Sequence, residues 1–247
     1  MTAILSLARP VGESVDSPAT ARLLLAEDNP IASDLIAMMA RRLGYDLDRV
    51  PNGLDAVDAV ARAAALGQPY SLILLDAMMP VLDGAEAARR MRANGMTAEM
   101  LPIIAVTAAT DPAEVREYLA AGMQGYLAKP VSLADFSACI DAWVPQLVRA
   151  PQRGKAAPEA ALRRRYELRK TEVLERFEAA SLAATTSPEQ AAELREHLHK
   201  LAGTAGSFGE KQLSKAAAKG EALLTGATPA ELQAAVRRSY ALLRSVG

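Results

Sequence analysis

The sequence predicts an α/β domain with a parallel, doubly wound sheet, followed by an all-helical domain. Up to residue 144, short continuous apolar runs alternate with segments of helical periodicity. Such runs are typical of strands buried on both faces, and their alternation with helices is typical of parallel sheets. Beyond a stretch that contains Pro151, Gly154 and Pro158, only helical periodicity remains. A chain of 247 residues is long enough for two domains.

The first domain is predicted to contain five strands alternating with five helices. Its opening strand, Leu23-Leu24-Leu25-Ala26, shows the pattern clearly, whereas the second strand is the weakest of the five. The predicted strands are 23–26, 45–50, 70–75, 102–106 and 125–128. The predicted helices are 31–43, 55–66, 84–96, 112–121 and 133–144.

The second domain is predicted to be a short bundle of four helices. Ser187 is suited to the N-cap position of the second helix, and Pro188 to its first turn. The predicted helices are 159–183, 188–207, 211–224 and 229–246. We therefore expect a flexible tail (1–20), an α/β domain (21–147), a linker (148–158) and a helical domain (159–247).

Composition narrows the functional classes. Residues 1–150 hold 12 Lys and Arg against 18 Asp and Glu, while residues 151–247 hold 16 against 11, a contrast too small for a nucleic-acid-binding footprint. Cys139 is the single cysteine, so it can form no internal disulfide, and we expect it to be buried. No apolar run reaches the ~18 residues of a membrane span, and the N-terminus lacks the basic region of a signal peptide. We expect a cytoplasmic protein that binds neither nucleic acid nor membrane.

Polar residues follow the strong strands of the predicted sheet. Glu27 and Asp28 follow the first strand, Asp76 the third, Thr107 the fourth and Lys129 the fifth. Functional groups of open α/β sheets gather at the carboxyl ends of the strands, so we expect these side chains to meet. Three adjacent carboxylates repel one another unless protons or a cation compensate, and an all-oxygen site suits Mg²⁺. Asp28 alone, placed before a predicted helix, could simply cap it.

The segments that carry these residues resemble the receiver domain of response regulators. The matching segments are Leu24-Leu25-Ala26-Glu27-Asp28-Asn29, Leu75-Asp76-Ala77-Met78-Met79-Pro80-Val81-Leu82-Asp83-Gly84, Val106-Thr107-Ala108 and Gly125-Tyr126-Leu127-Ala128-Lys129-Pro130. The resemblance covers about residues 21–147 and implies a flavodoxin-like fold. It also implies that Asp76 is the phosphoacceptor and that the rotamer of Tyr126 reports phosphorylation.

The same resemblance assigns the remaining site residues. It implies that Asp28, with help from Glu27, binds Mg²⁺, and that the backbone carbonyl of Met78 is a further ligand. Thr107 and Lys129 would contact the phosphoryl group. Phosphoryl transfer needs an in-line nucleophile and compensation of the negative charge on the transferred oxygens, which these residue types can supply.

The helical domain contains both histidines of the chain, His197 and His199. Residues 202, 203 and 206 are small and share a helical face with His199, and the pattern His199-x-Leu201-x-Gly203 with Gly209 resembles the histidine phosphotransfer (HPt) domain. The resemblance covers about residues 159–247 and implies a phosphohistidine at His199. A solvated histidine at a glycine-softened helix end is the structural alternative.

One position departs from the HPt pattern. The family usually has lysine where this chain has Ala202. Arg195 lies one turn before His199 on the same face and is our candidate substitute cation. Gly203 is interpreted as a small residue that lets a receiver dock, with close helix packing as the alternative. His197 is rotated away and is interpreted as a surface or structural histidine.

We therefore expect a phosphorelay protein whose partners are sensor histidine kinases and other receiver or HPt proteins. The alternative is a phosphorylation-switched binding or dimerisation module whose helical domain transfers no phosphate. A kinase is not expected, because the chain has no P-loop or other nucleotide-binding glycine motif.

Overall fold

The computed structural model describes residues 21–108, 111–144 and 159–246. The chain divides into two compact units, Met1–Ala157 and Pro158–Gly247. The predicted tail and linker, residues 1–20 and 148–158, lie outside the described residues. Within the described ranges, no helix combines the length and apolar character needed to cross a bilayer.

The first unit is the predicted parallel sheet with helices between its strands. The strands are β1 (Arg22–Ala26), β2 (Asp46–Val50), β3 (Leu72–Asp76), β4 (Ile103–Thr107) and β5 (Gly125–Ala128). The helices are α1 (Pro30–Leu43), α2 (Gly53–Ala65), α3 (Gly84–Ala93), α4 (Pro112–Ala120) and α5 (Leu133–Trp143). The strand order is β2-β1-β3-β4-β5 and all pairs are parallel.

Burial explains which strands were easy to predict. Strands β3 and β4 are buried at every residue, as their continuous apolar runs indicate. Strand β2 lies at the sheet edge and has no buried residue, which accounts for its weak pattern. The sheet carries a buried apolar cluster on each face, so the carboxyl ends of the strands are held firmly at one edge.

The second unit consists of α6 (Glu159–Leu182), α7 (Pro188–Ala205), α8 (Lys211–Thr225) and α9 (Leu232–Arg244). The predicted start of α7 is confirmed, because Ser187 is its N-cap and forms a capping box with Gln190. Helix α9 begins three residues later than Pro229, after a turn in which Glu231 accepts a hydrogen bond from the Thr228 N–H. Leu198 and Val236 are fully buried in this unit.

Candidate functional site

Three carboxylates meet at the carboxyl end of the sheet. Each of Glu27, Asp28 and Asp76 has an oxygen within 4.8 Å of one on each of the other two. Asp76 ends β3 and Glu27 follows β1, and these two residues are buried, with exposures of 1% and 4%. Asn29, rather than Asp28, caps α1 through its side-chain oxygen, so the cap that we considered for Asp28 is provided by its neighbour.

Lys129 joins two of these carboxylates. Its Nζ lies 2.8 Å from Glu27 Oε2 and 2.8 Å from Asp76 Oδ2. Burial alone would lower the pKa of Lys129, but the charges of Glu27 and Asp76 outweigh burial and raise it. Burial raises the pKa of Glu27 to about 8, although Lys129 acts in the opposite direction. The site therefore holds one buried cation against three carboxyl groups.

The oxygen donors of this cluster fit a magnesium ion. Mg²⁺ prefers carboxylate and carbonyl oxygens and keeps several waters, and Asp28 is only partly buried, which leaves the cluster open on one side. The Met78 N–H donates to Asp76 Oδ1 at 3.2 Å, so the chain turns back over the carboxylate at this residue.

The neighbouring strands bring two further residues to the same edge. Thr107 ends β4 and is buried, and its Oγ1 lies 3.1 Å from the Tyr118 hydroxyl on α4. Tyr126 is partly buried and packs on the apolar cluster around Leu75. Sequence reasoning missed Tyr118. Its only signal was its place in the helix that follows Thr107, and the hydroxyl contact depends on how α4 packs.

His199 lies on α7 and faces α8. Its Nδ1 lies 3.0 Å from Glu221 Oε1, and both side chains are largely buried, with 15% and 19% exposed. A carboxylate only accepts, so Nδ1 carries the proton and donates it. In a neutral imidazole with a proton on Nδ1, the lone pair lies on Nε2. Glu221 was not singled out from the sequence, since nothing in the spacing of one helix identifies a partner 22 residues away.

His197 has the opposite hydrogen-bond arrangement. Arg169 Nη2 lies 2.8 Å from its Nδ1, and a guanidinium only donates, so this nitrogen accepts. Burial, and next the charge of Arg169, lower the pKa of His197 and favour its neutral form. Both ring nitrogens of His197 are thereby committed, one as acceptor and the other as the protonated nitrogen. Of the surface and structural interpretations of His197, the contact with Arg169 favours the structural one.

The residues around His199 occupy different depths. Ala202 is buried, and its carbonyl accepts a 2.7 Å hydrogen bond from Ser214 on α8. Gly203 is buried as well, as the packing alternative expects. Arg195 is exposed. Its role as a substitute cation and the docking role of Gly203 stay predictions.

Comparison with known proteins identifies both units. The response regulator receiver domain model matches residues 23–141, and the Hpt domain model matches residues 166–245. Over 113 residues, the chain is 42% identical to two-component response regulator ORR41 of Oryza sativa subsp. japonica, covering 45% of this chain and 84% of that protein. The chain belongs to the response regulators, with a receiver domain followed by an Hpt domain.

The chain also matches part of a longer protein. Over 181 residues, the chain is 30% identical to the sensor histidine kinase GacS of Pseudomonas protegens, which covers 72% of this chain and 18% of that one. A similar solved structure is the receiver domain of sensor histidine kinase PA1611 from Pseudomonas aeruginosa, which has a magnesium ion coordinated in its active site cleft. It is 40% identical to this chain, with a TM-score of 0.45, and the match covers 51% of this chain and 98% of that one. The two matching domains indicate a phosphorelay signalling role and a phosphotransfer protein rather than a kinase.

Proposed function

We propose that this protein accepts phosphoryl groups on Asp76 and on His199 and passes them between histidine kinases and other receiver or Hpt proteins. The observation that carries the proposal is the placement of Asp76, a buried carboxylate that ends β3 with the Lys129 ammonium 2.8 Å from its Oδ2. A nucleophile and a cation are thus held together before any phosphoryl group arrives.

At the receiver site, an Asp76 oxygen attacks the phosphorus of a phosphohistidine. The new P–O bond forms while the P–N bond breaks, and the departing imidazole nitrogen keeps the electron pair. Lys129 and the Thr107 hydroxyl contact the transferred oxygens, and the Asp76 backbone stays fixed in the sheet. Glu27, Asp28, Asp76 and the Met78 carbonyl would hold Mg²⁺, which supplies further positive charge to the phosphoryl oxygens.

We propose that the receiver also catalyses its own phosphorylation from small phosphodonors and its own dephosphorylation. Phosphoryl transfer relies mainly on position and charge, and Asp76 with Lys129 supplies both without a kinase. Water can reach the partly buried Asp28 side of the cluster, where it would attack the acyl phosphate.

At the Hpt site, His199 Nε2 is the nucleophile. Glu221 accepts the Nδ1 proton, which fixes the tautomer and stabilises the positive charge that the ring gains when Nε2 is phosphorylated. The role of Glu221 is that of a positioning residue, like the carboxylate that orients the histidine of a catalytic triad. His197, only two residues away, cannot substitute because Arg169 occupies its Nδ1.

Label from a phosphorylated histidine kinase tests both sites. We expect the wild-type chain to carry base-labile acyl phosphate and acid-labile phosphohistidine, with the first lost in Asp76→Asn and the second in His199→Ala. His197→Ala is the matched control and should keep both. Acyl phosphate in Asp76→Asn would refute the receiver assignment. Absence of acid-labile label from the wild type, whichever phosphorylated receiver or kinase is offered, would favour the binding-module alternative.

A further inference from the structure

Helix α8 makes two polar contacts with α7, and both leave from the same face of α8. Glu221 accepts the Nδ1 proton of His199, and Ser214 Oγ donates a 2.7 Å hydrogen bond to the carbonyl of Ala202. Ser214 and Glu221 are separated by about two turns of helix, so their side chains point in nearly the same direction. The two contacts together therefore define how α8 is rotated and displaced against α7.

Ser214 bonds α7 about one turn beyond His199. Ala202 is 4% exposed and Ser214 is partly buried, so water competes little for this hydrogen bond. A carbonyl oxygen has two acceptor sites, so Ala202 can accept from Ser214 and still take part in the backbone hydrogen bonds of its own helix. The contact therefore adds a connection between α7 and α8 that neither helix needs in order to form.

The buried face of α8 between these two contacts is built from small residues. Between Ser214 and Glu221, the buried residues are Ala216, Ala217 and Gly220. Side chains of this size form shallow ridges, whereas interlocking ridges and grooves are what fix one helix against another. The two polar contacts therefore specify a rotation of α8 that this part of the apolar packing specifies only weakly.

We propose that Ser214 is a positioning residue for phosphotransfer through His199. Its hydrogen bond to α7 holds α8 in the rotation at which Glu221 accepts the Nδ1 proton. A shift of α8 would lengthen the 3.0 Å contact, and hydrogen bonds weaken steeply outside their favoured geometry. The ring proton would then be shared between Nδ1 and Nε2, and a protonated Nε2 has no lone pair with which to attack phosphorus. This inference rests on the proposed function of His199.

Nitrogen-15 NMR of the imidazole tests the positioning role without any phosphoryl group. The full chain is used in a His197→Gln background, so that His199 is the single histidine. We expect the neutral ring to hold its proton on Nδ1 when Ser214 is present and to show both tautomers in Ser214→Ala. Ser214→Thr keeps the hydroxyl and should restore the first pattern. Thr225→Ala is the matched control, because the Thr225 hydroxyl bonds the Glu221 carbonyl at 2.9 Å within α8 itself.

Single-turnover transfer from a phosphorylated receiver to His199 supplies the functional measurement. We expect Ser214→Ala to lower the maximal rate about threefold to tenfold, the size of one net hydrogen bond, at an unchanged half-saturating concentration of the receiver. In a Glu221→Ala background, Ser214→Ala should cause no further loss. Alanine is the best helix former, so α8 itself is not weakened, and melts of the same samples give the folded fraction.

Three results would overturn the inference while leaving His199 as the phosphoacceptor. The first is an unchanged tautomer in Ser214→Ala, and the second is an equal loss of rate in the Glu221→Ala background. The third is a raised half-saturating concentration at an unchanged maximal rate, which would assign Ser214 to receiver docking. A wild-type chain that accepts no phosphoryl group on His199 overturns the proposed function and the inference together.

Discussion

The imidazole of His199 donates its Nδ1 proton to Glu221 Oε1 across 3.0 Å, and this contact joins α7 to α8. Two residues earlier, His197 accepts at the same ring position from Arg169. Neighbouring histidines on one helix are thus held in opposite tautomers by charged partners of opposite sign. In the neutral form of each ring, this places the lone pair of His199 on Nε2, whereas His197 carries its proton on Nε2.

Replacing Glu221 should slow phosphotransfer through His199 without unfolding the bundle. Glu221→Ala removes the acceptor of the Nδ1 proton, and we expect transfer to fall about tenfold to a hundredfold, the range seen when the hydrogen-bond partner of a metal-ligating histidine is removed. Glu221→Gln keeps a carbonyl acceptor and should recover most of the rate. Rapid-quench transfer assays measure these rates.

Glu196→Ala is the control for Glu221, since this exposed α7 carboxylate pairs with Lys200 at 2.7 Å. It removes the same charge from the same unit and should leave transfer unchanged. If Glu221→Ala transfers at the wild-type rate, Glu221 has no positioning role.

The Hpt unit should lose stability below neutral pH because of His197. Burial, and then Arg169, lower the pKa of His197 in the folded state below the ordinary value of about 6.5. Between these two pKa values the unfolded chain binds more protons, so stability is present above the ordinary pKa and falls as pH drops through this window. Thermal melts followed by far-UV circular dichroism at pH 7 and pH 5 measure the loss.

His197→Gln should flatten that pH dependence, because glutamine can accept from Arg169 but does not titrate in this range. Trp143 fluorescence separates the receiver transition from that of the Hpt unit, since Trp143 belongs to α5 of the receiver. An equally steep pH dependence in His197→Gln would assign the effect to other groups.

Sequence pattern predicted most of the fold because the informative strands are buried on both faces. The runs at Leu23–Ala26 and Leu72–Leu75 are fully buried, so every position had to be apolar. Helix ends were less certain. We predicted a helix to Met96, but α3 ends at Ala93, because the chain reverses at Gly95 with a φ of 87°. A glycine inside a helical pattern does not by itself reveal such a reversal.

The sequence predicted site residues only where a polar or charged residue lies at the end of a predicted strand. Asp76, Thr107 and Lys129 each follow or end a strand, and their meeting required only the sheet topology. Glu221 and Tyr118 act across helix packing, with partners 22 and 11 residues away. Their contacts depend on helix rotation and crossing, which one sequence does not specify.

Arg195 should assist transfer from His199 although it is exposed. The chain has Ala202 where the family usually has lysine, and Arg195 shares the helical face of His199. We expect Arg195→Ala to slow transfer about twofold to fivefold, the range for exposed charge pairs, with steeper loss at low salt. Lys200→Ala, which removes a cation paired with Glu196, is the control. Equal transfer rates in wild type and Arg195→Ala would show that Arg195 does not replace the missing lysine.

Arg92 should be a main source of receiver stability. Its half-buried guanidinium donates to the carbonyls of the loops before β4 and β5. The acceptors are the carbonyls of Met96, Thr97, Leu101 and Gly122, at 2.8–3.1 Å, and Gln124 Oε1 at 2.9 Å. Arg92→Met should lower the free energy of unfolding by about 2–4 kcal/mol, since several partly buried carbonyls lose their donor.

Denaturant titration followed by Trp143 fluorescence measures the effect of Arg92. The exposed Arg90 pairs with Glu86 at 3.2 Å, so Arg90→Met should cost less than about 0.5 kcal/mol. Similar midpoints for the two variants would show that the Arg92 hydrogen bonds add little net stability.

Variants at two glycines of the Hpt unit should distinguish a role in docking a receiver from a role in helix packing. A Cβ at Gly220 would lie 3.0 Å from Leu198 Cδ1 and 3.2 Å from Ser239 Cβ, so α8 packs closely there. Gly220→Val should therefore destabilise the unit by about 1–3 kcal/mol through overpacking. Gly203 lies one turn after His199, and we expect Gly203→Gln to melt near the wild-type temperature but to lose phosphotransfer through steric exclusion of a receiver.

Melting temperature and transfer rate measured on the same samples decide the role of Gly203. In Gly220→Val, transfer should fall only as far as the folded fraction falls. In Gly203→Gln, the docking interpretation expects transfer to fall while the folded fraction stays high, because the longer side chain lies one turn from His199 and hinders a receiver. Since Gly203 is buried, packing offers a definite alternative. A Gly203→Gln variant that melts as low as Gly220→Val would assign this glycine to helix packing.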